Sequence, residues 1–295
     1  MRPKKTRKHP ISTVNPGRVV SHKVTQATIS SFHTLLKRQS RLQQQLASCS
    51  PSDDRAGLDK QLADILNAIA ALGGLDAYQK ASTLGQSVER GGDSSKVLVS
   101  WLKELVPPTP SQKGKEKAKP LRMLEIGALT PSNYASCSTW IDNHPIDLNA
   151  QHADIVQQDF LLRPLPQTDD ERFDIISCSL VLNFVSNVAD RGRMLSLAHS
   201  QLRPAPSSFL FLVLPLPCIT NSRYMSLSSL QCLMACIGFE LVKERWKPGG
   251  KVGYWLYRWK EVDLGIDTAD ERERWRKKTI ENEGPKRNNF AIVLS

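Results

Sequence analysis

The sequence predicts a doubly wound α/β sheet, and three observations predict it. Short apolar runs alternate with helical stripes from Leu121 onward. Arg122 to Ala128 reads RMLEIGA, an apolar strand that ends in an acid and turns at a glycine. Twenty residues after Gly127, the run PIDLN brings in Asp147. An apolar strand turning at glycine, followed by an acid at that distance, is how such a sheet holds an adenosine-containing cofactor.

Taken in order, residues 1 to 18 are basic, contain prolines and have nothing to pack, which predicts a disordered tail. Residues 19 to 106 read as a helical N-terminal region. From Val19 to Ala47 the apolar residues Ile29, Phe32, Leu35, Leu36, Leu42 and Leu46 recur at roughly helical spacing. SPSDDRAG interrupts the pattern. Leu58 to Leu72 resumes it and stops at Gly73-Gly74. RGGDSSK then precedes a helix with Val97, Leu98, Trp101, Leu102 and Leu105 on one face, where Asp93 or Ser94 can cap or the loop can form an anion nest. Residues 107 to 120 read as a flexible linker.

Residues 121 to 295 form the α/β domain. Strands are expected at LRMLEI, near HPIDLN, at the end of QHADIVQQDF, over FDIISCSLVLNFV, at FLFLVLPLP, at FELVKERW and, after the turn signal PGG, at KVGYWLYRWK. Helices are expected at ADRGRMLSLAHSQL and at SLSSLQCLMACIGF. DTADERERWRKKTIENEG reads as a charged surface helix and NNFAIVL as a closing strand. The order implies a parallel sheet with an antiparallel end.

The charge is localised. Of forty Lys and Arg, ten lie within residues 1 to 46 beside no acid, which leaves thirty bases against twenty-nine acids in the remainder. The excess therefore points to an anionic partner or a nuclear address, for which KKTRK is suited, rather than to a generally basic surface. The six cysteines lack CxxC spacing and suggest reduced core residues, with no metal site. No apolar run is long enough for a membrane span, and the start has no secretory h-region, so an intracellular, reducing compartment is expected.

A nicotinamide cofactor would need several glycines after the first strand to seat its pyrophosphate. EIGALTPSN supplies one. S-adenosylmethionine, without phosphates, does not need that cradle. Its methionine tail can pass over Gly127 beside Glu125, Asp147 can accept from ribose hydroxyls, and Asp159 with Phe160 can contact adenine. The bland alternative is that these acids end strands and cap helices.

The segments GGLDAYQKAS, RGGDSSKVLVSWL, LEIGALTPSN, IDLN, QQDF, FDIISCSLVLNFV with RGRML, GFELVKERWKPGGKVGYWLYRW and NNFAIVL resemble the fungal 25S ribosomal RNA adenine-N(1)-methyltransferases of the nucleolus. The resemblance runs from about Leu72 to the C-terminus. It implies a seven-stranded Rossmann-like S-adenosylmethionine-dependent sheet with Gly127 and Asp147 at the cofactor, and large-subunit ribosomal RNA or a pre-ribosome as partner. The lone glycine departs from the fuller glycine pattern of methyltransferases at large.

Adenine N1 carries a free lone pair at neutral pH, so positioning suffices and no general base is required. Asn183 and Phe184, at the end of the fourth strand, are the candidate base contacts; a helix cap and a core aromatic are the plain alternatives. Two other readings stay open. Cys218 could serve a cytosine-C5 methyltransferase as nucleophile, although the fourth strand lacks the usual Asp-x-Pro-Cys. A non-catalytic assembly factor could retain the fold. For RNA capture the N-terminal arm comes first, followed by Lys243, Arg245, Lys247, Lys251 and Arg258 among the hairpin aromatics. The sequence leaves oligomeric state open and is compatible with a monomer.

Overall fold

A computed structural model describes residues 22–48, 54–77, 94–106, 119–262 and 272–294. The basic tail, Asp93 with the rest of the RGGD turn, and most of the linker lie outside these residues. Seven strands form one sheet: β1 (Leu121–Ile126), β2 (Ile141–Asp147), β3 (Val156–Gln157), β4 (Ile175–Ser179), β5 (Phe209–Pro215), β6 (Phe239–Arg245) and β7 (Val252–Trp259). Their spatial order is β3-β2-β1-β4-β5-β7-β6, and only β7 runs antiparallel to its neighbours. The order reverses between β1 and β4, which opens a crevice at the carboxyl ends of those strands.

The strands are apolar on both faces because both are covered. Along β5, Phe209, Phe211 and Val213 enter one core cluster, while Leu210, Leu212 and Leu214 enter the other. The first cluster is closed by Leu98, Trp101 and Leu102 of α3 (Ser95–Leu105). Burying these side chains contributes about 1.5–3 kcal/mol each, enough to join this stretch of the helical N-terminal region to the sheet. The opposite cluster takes residues from α4 (Val188–Gln201), the one-turn α5 (Pro217–Thr220) and α6 (Leu227–Ile237). A Ser226/Ser229 capping box opens α6, and Gly238, in the left-handed region at φ 103°, closes it. Further out, α1 (His22–Ala47) and α2 (Arg55–Ala71) pack on each other, α2 starting at an Asp54 carboxylate that accepts from the Gly57 N–H.

Several expectations need correction. The fourth strand stops at Ser179 rather than running to Val185, because Leu180 takes a left-handed φ of 58° that no ladder can continue. Ser94 stands at the start of α3 without capping it; its hydroxyl is bonded to that of Ser179 at 2.8 Å. Of the predicted charged helix, the described part holds one turn over residues 272–274. NNFAIVL is no strand but a strap. Its bonds go to scattered partners, Val293 N–H to the Val188 carbonyl and Leu294 N–H to that of Trp275, and Phe290 to Val293 are buried.

Candidate active site

Gly127 leaves β1 at φ 75°, and its N–H donates to the Ile146 carbonyl at 2.8 Å, so the turn is fixed to β2. A Cβ here would fall 2.4 Å from Val181 Cγ2, which shows how closely the chain after β4 covers the glycine. The connection from Gly127 to Trp140 contains only a three-residue 3-10 turn, Ala135–Cys137.

Glu125 is buried at the end of β1 and both of its oxygens are engaged: Oε1 accepts from Asn133 Nδ2 at 2.6 Å and Oε2 from Asn143 Nδ2 at 2.8 Å. It thus pins the Gly127 turn to β2. Asp147, half-buried where β2 ends, accepts from the Asn149 N–H at 2.7 Å through Oδ1. Asp159 caps the following 3-10 turn by accepting from the Leu161 N–H at 2.8 Å. Phe160 belongs to the core, 3% exposed.

The crevice above Gly127 is lined by Ser94, Ser95, Asn133, Tyr134, Ser177 and Ser179. The hydroxyls and the Asn133 amide suit the amino-acid tail of S-adenosylmethionine, and an acid at the end of β2 suits its ribose, so the residues present fit this cofactor. Asn133 and Asn143 are the additions that sequence reasoning missed, since nothing in their spacing marks them. A cavity of about 630 Å³ beside Lys119, Arg122 and Ile141 lies at the opposite, amino-terminal edge of the sheet and is not this site.

Across the switch point, Asn183 is half-buried and its Oδ1 is buried with no partner among the described residues. Phe184 follows it, half-buried, with its N–H on the Val181 carbonyl at 2.8 Å. Gly127, Asp147, Asn183 and Phe184 therefore all lie at the carboxyl ends of neighbouring strands or just beyond. Cys218 sits on α5, and burial pushes its thiol up to about 11, with Arg191 and Lys37 acting in the other direction. Cys178 is buried in β4 and is pushed up to about 12.

The aromatic hairpin is largely strand packing. Trp255 and Tyr257 are buried, Tyr254 stacks on Phe211, and Trp259 stacks on His199 at 5.2 Å between ring centroids. Two of its bases are paired, Lys243 with Glu104 and Arg258 with Glu240. Among the described residues no His, Cys, Asp and Glu group could hold a metal, and no helix is long and apolar enough to cross a membrane.

This strand order, with one antiparallel strand, a lone glycine at the end of β1 and an acid at the end of β2, defines an S-adenosylmethionine-dependent methyltransferase. Residues 63–292 match the family described as "25S rRNA (adenine(2142)-N(1))-methyltransferase, Bmt2", and the chain belongs to that family. It is 36% identical over 264 residues to the 25S rRNA (adenine(2142)-N(1))-methyltransferase of Saccharomyces cerevisiae, covering 89% of this chain and 70% of that one. It is 38% identical over 273 residues to the 25S rRNA adenine-N(1) methyltransferase of Schizosaccharomyces pombe, covering 90% and 89%. A solved TehB-like S-adenosylmethionine-dependent methyltransferase from Corynebacterium glutamicum matches more loosely, at 14% identity and a TM-score of 0.40 over 68% of this chain and 97% of that one.

Proposed function

We propose that this chain methylates N1 of an adenine in large-subunit (25S) ribosomal RNA during ribosome assembly in the nucleolus. The family description and the two yeast relatives support the substrate. One geometric observation carries the placement of the base: Asn183 Oδ1 is a buried acceptor without a donor among the described residues, one strand across from the cofactor crevice. Adenine presents an amino donor at N6 directly beside N1, so it can satisfy Oδ1 while N1 faces the crevice.

When bound, S-adenosylmethionine supplies an electrophilic methyl group on its sulfonium. Gly127 lets the amino-acid tail approach the backbone, Asp147 accepts from the ribose, Glu125 holds both in register through Asn133 and Asn143, and Asp159 with Phe160 shapes the adenine end. Asn183 and Phe184 orient the target base. N1 lies on the pairing edge, so the nucleotide must be unpaired or flipped. Attack needs no protein base, which agrees with a crevice built of hydroxyls, amides and pinned carboxylates.

RNA is held by the N-terminal arm and α1. The described side chains of α1 include Lys37, Arg38 and Arg41, and α1 contains no acid. Lys37 lies close enough to Cys218 to bear on its thiol, and Asp76, just past α2, accepts from Asn149 Nδ2 at 3.3 Å. These helices therefore reach the catalytic edge of the sheet. KKTRK serves as the nucleolar address. A cytosine-C5 mechanism is disfavoured, since a nucleophilic cysteine needs a lowered thiol pKa and that of Cys218 is raised.

Mass spectrometry of ribosomal RNA nucleosides with and without the protein tests the proposal. Loss of one N1-methyladenine is expected in its absence; an unchanged nucleoside profile would leave a non-catalytic assembly factor. Asn183→Ala is expected to lower turnover with cofactor affinity unchanged, and full turnover would remove Asn183 from the site.

A further inference from the structure

The segment that carries Asn183 leaves β4 at the left-handed Leu180 and is seated on the core by Leu182. Leu180 N–H donates to the Val213 carbonyl at 2.9 Å and Phe184 N–H to the Val181 carbonyl at 2.8 Å. Its far end is fastened by a side chain from α4. Arg191 is 3% exposed; its Nε donates to the Val185 carbonyl at 2.7 Å and its Nη1 to the Ala291 carbonyl at 2.6 Å. Its guanidinium carbon lies 4.4 Å from the centre of the Phe290 ring. One planar group thus ties the end of the Asn183 segment to the C-terminal strap.

The strap is in turn fixed from two sides. Val293 N–H donates to the Val188 carbonyl at 3.0 Å, and a Cβ on Gly192 would lie 2.0 Å from the Val293 carbonyl oxygen, so only glycine lets the strap lie against α4. At its other end Asn288 N–H donates to the Asn221 carbonyl and Ser222 Oγ to the Phe290 carbonyl, which anchors it beyond β5. RGRML and NNFAIVL, a hundred residues apart in sequence, are therefore one joint.

Arg191 forms no ion pair among the described residues. Desolvating an unpaired guanidinium costs several kcal/mol, and an apolar side chain of similar volume would fill the space more cheaply. Two carbonyls from different segments and a ring face are what the planar fork answers and a hydrocarbon cannot.

We infer that Arg191 is a positioning residue, which locks the Asn183 segment to the C-terminal strap and so sets where the target base is held. This rests on the reading of Asn183 as a base contact. The test uses the full chain with a 25S rRNA transcript and compares Arg191→Met, Arg191→Lys, Asn183→Ala and the Asn183→Ala/Arg191→Met double variant. Turnover, KM for RNA, affinity for S-adenosylhomocysteine and Tm are measured for each. Loss of two charge-assisted bonds is expected to lower kcat of Arg191→Met by about 10- to 100-fold, with S-adenosylhomocysteine affinity within about twofold. Arg191→Lys, which keeps the charge but not the fork, should recover part of that loss and remain several-fold below the parent. The double variant should be no slower than Asn183→Ala, because both act through one contact.

A slow Asn183→Ala beside a fully active Arg191→Met overturns the inference and spares the base-contact reading. A fully active Asn183→Ala overturns that reading and this inference with it. Equal losses of cofactor affinity and turnover in Arg191→Met make the residue general scaffold and overturn the inference. Should Arg191→Met fail to fold, Arg191→Lys decides: parental turnover there refutes a need for the two-point fork.

Discussion

The two halves of the site are built differently. In the cofactor half the carboxylates are already engaged within the protein: Glu125 by Asn133 and Asn143, Asp147 by the Asn149 N–H, Asp159 by the Leu161 N–H. In the base half, Leu180 is held in a left-handed conformation and Asn183 Oδ1 is buried without a partner among the described residues. The difference teaches that the fold itself satisfies the acids on one side and leaves an acceptor open on the other, which on the proposed reading the substrate completes. A left-handed leucine costs about 1–2 kcal/mol, and it sits where the sheet hands over to the reactive edge.

The largest effect should come from the cofactor half. Asp147→Ala is expected to weaken S-adenosylhomocysteine binding by about 10- to 100-fold, the worth of hydrogen bonds to a charged acceptor. Calorimetry measures it, and affinity for RNA should stay unchanged; a loss of both would erase the division between the halves. In the base half, Asn183→Leu and Asn183→Asp sharpen the contrast. Aspartate retains an acceptor for the adenine amino group and should keep turnover within about threefold, while leucine should lose about tenfold or more. Equal turnover for the two would mean that the acceptor does not act.

A smaller effect is expected from deleting residues 1–18, which carry six of the Lys and Arg residues. Each phosphate contact removed lowers the slope of log affinity against log salt by about 0.7 for single-stranded RNA, so the plot should flatten. An unchanged slope would assign capture to α1 alone. Smallest of all, Cys218→Ala should leave turnover unchanged. Cys218 and Cys178 instead contribute to the loss of stability at alkaline pH. Raised to about 11 and about 12, they stay protonated in the folded protein while the unfolded chain ionises near its ordinary thiol value. Stability is therefore full below that value and falls as pH rises toward 11. Thermal melts at pH 7 and pH 10 should show the drop, and replacing both cysteines with alanine should shrink it.

The sheet was legible because its strands announce themselves by composition. The fully apolar run from Phe209 to Leu214 and the Gly127 turn allowed little else. The segments that failed did so for local reasons. The apolar run after Ser179 looks like more strand, yet one residue at positive φ ends it. NNFAIVL has strand composition, but its partners are a buried arginine, the Ser222 hydroxyl and the carbonyls of Val188, Asn221 and Trp275 rather than a neighbouring strand. The places of Gly127 and Asp147, at the carboxyl ends of the paired strands β1 and β2, were readable from their spacing. The asparagine pair at Glu125 was not, because Asn133 and Asn143 meet that carboxylate only once β1 and β2 are paired. Phe160 stands next to Asp159 as its place in the sequence implies, but its side chain is core, so it backs that end of the crevice from within the fold.

The short connection between β1 and β2 has a consequence for how the protein lives among other adenosine compounds. A long helix starting at this point would present bare N–H groups and a positive dipole end, an attractive seat for phosphate. The Ala135–Cys137 turn provides neither. The helix end that lines the crevice is instead that of α3, at Ser94 and Ser95, so an anionic group brought there meets a helix supplied by the N-terminal region and not by the β1–β2 connection. Competition between millimolar ATP and S-adenosylhomocysteine measures how far that single helix end accepts phosphate.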